Sequence, residues 1–233
     1  MNKNILRMDK TKMLAIGAVL AIGGALAWYV FLSGNFNPST AKTNNNNGPV
    51  AIVNGQEISR ADFDNLLAQN AAQQGLDTAS LDTETQKQFE TDTVNALISQ
   101  ALLEQAASGS GVAVTDADID EQVEIIKSQF KTEEEFETAI LAKGITAEEL
   151  RTLIEQDLAV RAYLEQELKL SSVSVTAQEI EEVYGQAAAV QEVPPLEEVR
   201  DQVEMLVTQQ KQQGLRDELV AKLRAQAEVK IFI

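Results

Sequence analysis

The chain has 233 residues and a net charge of −17, and it contains neither cysteine nor histidine. Without cysteine there are no disulfides, thiolate metal sites or cysteine nucleophiles. Without histidine the commonest general base, triad partner and metal ligand are all missing, so catalysis would have to run on Asp, Glu, Lys, Tyr or Ser and an enzyme is not the expected reading.

The first twelve residues run against the overall charge. Lys3, Arg7, Lys10 and Lys12 face a single Asp9 there, which leaves 15 basic and 35 acidic residues in the remainder, a net of −20. So acidic a body repels phosphate backbones and is not expected to bind nucleic acid.

An apolar run opens at Met13 and closes at Leu32, and residues 13–32 carry no charged side chain. As a helix, twenty residues span about 30 Å, the thickness of a bilayer's hydrocarbon core. Trp28 and Tyr29 lie near its far end, where aromatic rings favour the interface, and the basic flank predicts a cytoplasmic N-terminus with an exported body. The rival reading is a cleaved signal peptide, with Ala25-Leu26-Ala27 as its cleavage site. Both readings export the rest of the chain. Residues 33–49, rich in Asn, Gly, Pro and Ser, read as a flexible polar tether.

From Val50 the pattern changes. Val50-Ala51-Ile52-Val53, Asn54-Gly55 and Gln56-Glu57-Ile58 spell a β-hairpin with a type I′ turn. Ser59 caps a helix that shows Phe63, Leu66 and Leu67 on one face. A polar stretch, residues 73–86, reads as a loop with a short helix. A second amphipathic helix follows, carrying Phe89, Val94, Leu97, Ile98, Ala101 and Leu102.

Thr115 with Asp118, Thr146 with Glu149 and Thr176 with Glu179 make three capping boxes, which start helices over 116–131, 146–170 and 177–186. Another helix is expected over 132–143. Pro194-Pro195 opens a last long helix, about 196–227, with Leu196, Val199, Val203, Leu206, Leu219 and Leu223 as its apolar face. Its middle, 209–214, loses that stripe, so it is exposed, bent or crosses a gap between packed regions. Residues 228–233 alternate like a strand, and the hairpin near Val50 is the partner expected for them.

The order of these segments resembles the SurA/PrsA group of exported chaperones, whose helical domain also resembles the substrate-binding part of trigger factor. The residues that carry the resemblance begin with Val53-Asn54-Gly55-Gln56-Glu57-Ile58-Ser59 and Phe63, then the helix over 96–103. Val114-Thr115-Asp116 with Ile119, Val175-Thr176 with Glu179-Ile180, and Tyr184 follow. Residues 199–211 and 219–231 complete it. The resemblance implies a SurA N-terminal-like chaperone module that binds unfolded or newly exported polypeptides. In that group a parvulin prolyl-isomerase domain usually sits between the two matching halves. Here nine residues separate Tyr184 from Pro194, too few for a domain of at least about 50 residues. The module is therefore expected without isomerase activity.

The expected fold is mainly α: six or seven helices over residues 50–233, a small antiparallel sheet joining both ends, and one N-terminal transmembrane helix. The helical domain divides into residues 50–186 and 194–233. Glu133-Glu134-Glu135 and Glu181-Glu182 lack the spacing of a calcium loop and read as solvated helix faces. No glycine loop for phosphate is present, so no cofactor is expected and binding is ATP-independent. Phe63, Phe89, Phe130, Phe136 and Tyr163 are the candidates for lining a client cradle. Aromatics at helical spacing are ordinarily core, so the idea applies to the module more than to any one ring. Two other classes stay open: an envelope adaptor that docks one folded partner, and a degenerate carboxylate enzyme.

Overall fold

Asn54 and Gly55 take φ of 51° and 86°, the two left-handed positions that a type I′ hairpin requires. They join strand β1, Ala51–Val53, to β2, Gln56–Ile58, with Ala51 opposite Ile58 and Val53 opposite Gln56. Strand β3, Val229–Ile231, pairs with the other edge of β1, antiparallel, setting Val53 opposite Val229 and Ala51 opposite Ile231. The sheet order is β2-β1-β3. The two ends of residues 50–233 thus meet in one small sheet, as the alternation of 228–233 predicts.

The structure is a computed structural model that describes residues 48–76, 81–190 and 192–233. Seven helices occupy most of them: α1, Arg60–Gln74; α2, Thr83–Gly109; α3, Asp116–Lys127; α4, Glu133–Ala142; α5, Ala147–Leu168; α6, Ala177–Val190; and α7, Leu196–Gln226. A 3-10 turn, Leu170–Ser172, follows α5. The membrane segment read at 13–32 and residues 33–47 of the tether lie outside the described residues. Among the described residues no helix is long and apolar enough to cross a membrane.

Most helix starts have a chemical cause in a capping side chain. Ser59 Oγ accepts from Asp62 N–H at 3.0 Å, and Thr115 and Thr146 form complete capping boxes with Asp118 and Glu149. Each satisfies N–H groups that the first turn leaves without a helical partner. Three boundaries differ from those read in the sequence. Asp82 caps α2 through Glu84 and Thr85 N–H, so residues 83–86 begin the long helix and form no separate one. Helix α3 stops at Lys127, not at residue 131, because Ser128 Oγ turns back onto Ile125 C=O and two tight turns follow at Gln129 and Phe130. Helix α6 runs on to Val190, its Ala-rich end propagating past residue 186.

The chain forms two compact units, one holding described residues 48–76, 81–169 and 216–233, the other 170–190 and 192–215. The larger contains two apolar clusters. In one, Val50, Ala51, Val53 and Ile58 of the sheet region meet Phe63 of α1 and Val94, Ile98, Ala101 and Leu102 of α2, with Leu223 of α7 and Val229 of β3 against them. In the other, Ile119 and Ile126 of α3 pack with Phe136 and Ile140 of α4, and with Ile145, Leu150 and Ile154 at the start of α5. Helix α2 packs along α5. Residues of α7 up to Leu215 belong to the smaller unit and the rest to the larger. That division falls one residue after Gly214, where the apolar stripe of the sequence lapses. The helix is unbroken through 209–214 all the same, and Lys211, Gln212 and Gln213 are half-buried.

Candidate client-binding surface

A surface for unfolded chains needs apolar side chains that reach solvent within a charged surround. Three of the five rings proposed for it do not reach solvent. Phe63 is buried between the sheet and α2, with the Arg60 guanidinium 5.4 Å from its ring centre. Phe136 is buried in the second cluster, where Phe130 meets it edge-on at 5.6 Å and Lys127 Nζ lies 5.8 Å from its ring centre. Tyr163 is buried on α5; burial, and secondarily the nearby Glu167 carboxylate, pushes its phenol above the ordinary range. Phe89 and Phe130 are half-buried, and Phe130 packs against the second cluster. Phe63 thus belongs to the first cluster and Phe136, with Phe130 against it, to the second.

The exposed apolar side chains are different ones. Leu141 on α4 is 71% exposed and Ile125 on α3 is 38%. In the smaller unit Met205 on α7 and Val190 on α6 are 62% and 71% exposed. Two of these stand one step out of phase with a buried neighbour, Ile125 beside Ile126 and Leu141 beside Ile140, and Met205 stands two residues before buried Val207. A 100° step per residue turns the second member of such a pair away from the core. Four residues before each stands an acid, Glu121, Glu137 and Asp201 respectively. Residues at that spacing share a helix face, so each apolar group has an acid one turn before it. For Ile125 and Leu141 the signal in the sequence was an apolar doublet, Ile125-Ile126 and Ile140-Leu141, whose members point about 100° apart.

The smaller unit is held together by polar contacts. Among the described residues, its only fully buried apolar side chains are Ile180 and Val207. Thr176 and Glu179 complete the third capping box, with Thr176 N–H at 2.7 Å from Glu179 Oε2. Lys211 Nζ reaches both Glu179 Oε1, at 2.7 Å, and Ser174 C=O, at 2.8 Å. The Lys211 ammonium, and then the Thr176 donors, hold the Glu179 carboxyl down to about 2. One residue on, Gln212 Nε2 donates to Leu170 C=O at 2.9 Å. Tyr184 Oη donates to Pro194 C=O at 2.9 Å, so the interval that holds a catalytic domain in the resembling group is here the end of α6 and a short connection to α7.

Among the described residues no cluster of acidic side chains is arranged to hold a metal ion. The family described as the SurA-like N-terminal domain matches residues 4–164, more than half of the chain. The chain belongs to the SurA-like N-terminal domain family. This family is chaperone-related, and the match takes in the hairpin, α1 to α4 and most of α5. It ends before Val175-Thr176, Tyr184 and the last helix, so for those residues the likeness to SurA-type chaperones rests on the sequence motifs alone. A comparison with curated proteins returned no match.

Proposed function

We propose that the protein is an ATP-independent, chaperone-like binder of unfolded or newly exported polypeptides, anchored in the cell membrane with its body outside the cytoplasm and without prolyl-isomerase activity. The observation that carries this reading is the membership in a SurA-like N-terminal domain family. Exposed apolar side chains with an acid one turn before them support it. Leu141 and Ile125 in the larger unit, and Met205 in the smaller, each supply apolar contacts for client chains, while the −20 body keeps the loaded chaperone in solution. Such scattered contacts bind weakly and release readily, as a chaperone without an energy source requires. The apolar run 13–32 supports the anchor, and anchoring concentrates the binder where clients emerge. The absence of histidine and the nine-residue interval between Tyr184 and Pro194 support a non-catalytic module.

The deciding experiment uses purified residues 48–233. They should suppress aggregation of an unrelated unfolded protein at near-stoichiometric amounts without ATP, and the effect should survive high salt, which screens charge but not apolar burial. A control protein of equal charge must fail in the same assay. Unchanged aggregation, together with recovery of one folded partner from cells, would replace the chaperone reading with the adaptor. Acceleration of prolyl isomerisation that follows protein concentration would end the non-catalytic one.

A further inference from the structure

Three consecutive apolar side chains, Ile231, Phe232 and Ile233, stand 43%, 52% and 48% exposed at an edge of the sheet. Their place is fixed by a backbone bond, Phe232 N–H to Val50 C=O at 2.8 Å. Val50 directly follows the polar stretch 33–49, which itself follows the apolar run 13–32. On the anchored reading, on which this inference rests, those 17 residues lead from the bilayer to Val50. A polar coil of that length spans roughly 20–25 Å. The exposed tip is therefore pinned to the point where the chain arrives from the membrane.

We propose that Ile231, Phe232 and Ile233 form a second, non-covalent contact with the bilayer surface. The chemistry fits the interface. An aromatic ring between two aliphatic side chains favours the boundary between headgroups and acyl chains. The body is strongly acidic, yet beside the tip Glu228 and Lys230 pair at 2.7 Å, so the side chains of residues 228–233 bring no net charge to the lipid. Three side chains would hold a free protein to a membrane only weakly. A short tether changes that, because it sets an effective concentration on the order of millimolar.

The test uses the full chain in phosphatidylcholine vesicles that contain lipids brominated near the headgroup. Trp28 is the only tryptophan, so wild-type quenching reports on the anchor alone. In a Trp28→Phe background, Phe232→Trp should show blue-shifted emission and lose most of it to the brominated lipid. Leu141→Trp in the same background should be unaffected. Adding anionic lipid should weaken the effect at position 232, since the rest of the body is then repelled. If the indole at position 232 behaves like the one at 141, the tip does not touch lipid and the proposal is overturned. If only an added denatured polypeptide shifts its emission, the tip is a client surface and the proposal is likewise overturned. Quenching at 232 with none at Trp28 would sink the anchor and, with it, the tethered contact proposed here.

Discussion

Lys211 Nζ lies 2.7 Å from Glu179 Oε1, and the same ammonium donates to Ser174 C=O, so one side chain of α7 fastens the start of α6. Both side chains are more than a third exposed, so salt screens the pair and its contribution is modest. Its pH dependence is still readable. The Glu179 carboxyl is depressed, so its contribution is fully present above the ordinary carboxylate range and is lost as pH falls from about 4.5 toward about 2. Hydrogen exchange at the first amides of α6 should be flat from neutral pH to about 5 once corrected for intrinsic rates, then rise as Glu179 takes up its proton. Lys211→Met should raise the Glu179 pKa, read by carbon NMR of its carboxyl, and speed exchange there at neutral pH. An unmoved Glu179 titration would show that the Thr176 cap alone sets it.

Asn54 does three things at once. It takes a left-handed φ of 51°, its Nδ2 donates to Gln105 Oε1 at 2.8 Å, and its Oδ1 accepts from Glu228 N–H at 2.9 Å. It thereby ties the hairpin turn to both α2 and the approach to β3. Asn54→Gly keeps the backbone conformation and loses the two bonds, at about 0.5–1.5 kcal/mol each. Asn54→Ala loses the same bonds and adds left-handed strain of about 1–2 kcal/mol. Urea unfolding should therefore rank wild type above Asn54→Gly above Asn54→Ala. Equal stability for the two variants would mean the turn relaxes to another conformation.

Glu104 on α2 is half-buried, and burial raises its carboxyl pKa; the Gln100 amide bond at 2.8 Å only partly opposes this. A raised acid destabilises the fold once pH exceeds its unfolded value, and ceases to do so below it. Glu104→Gln should thus raise the melting temperature at pH 7, with the gain shrinking as pH falls and vanishing below about 4. A gain that persists at low pH would trace to packing, not to the charge.

The sheet, the three capping boxes and both core stripes were legible because each is a local pattern whose chemistry is short-ranged. Asn54-Gly55 dictates its turn, and Thr with an acid three residues on dictates a helix start. Val229 and Ile231 could be paired with the hairpin because no other strand was available. The polar middle of α7 was harder to read. Lys211 and Gln212 lack the apolar stripe, yet they are half-buried because they cap carbonyls of Leu170 and Ser174, about 40 residues away. No local pattern announces such partners. The burial of Phe63, Phe136 and Tyr163 was hard to read for a related reason: large aromatic residues attract attention, but their area is what the core buries first.

Phe136 and Leu141 lie five residues apart on α4, the first buried and the second exposed. Phe136 is buried with Ile140 against α3 and α5. Phe136→Ala should cost about 3–5 kcal/mol through lost burial and the cavity left behind. It would lower client protection only by unfolding the module. Leu141 is 71% exposed, so Leu141→Asp removes little buried area and should leave the melting temperature within a degree or two of wild type. If Leu141, Ile125 and Met205 carry the apolar contacts, Leu141→Asp with Met205→Asp should lose most aggregation suppression while far-UV circular dichroism stays unchanged. Leu141→Met with Met205→Leu should retain it, since apolar area is kept. Full protection by the double aspartate variant, at wild-type stability, would show that clients bind elsewhere on the body.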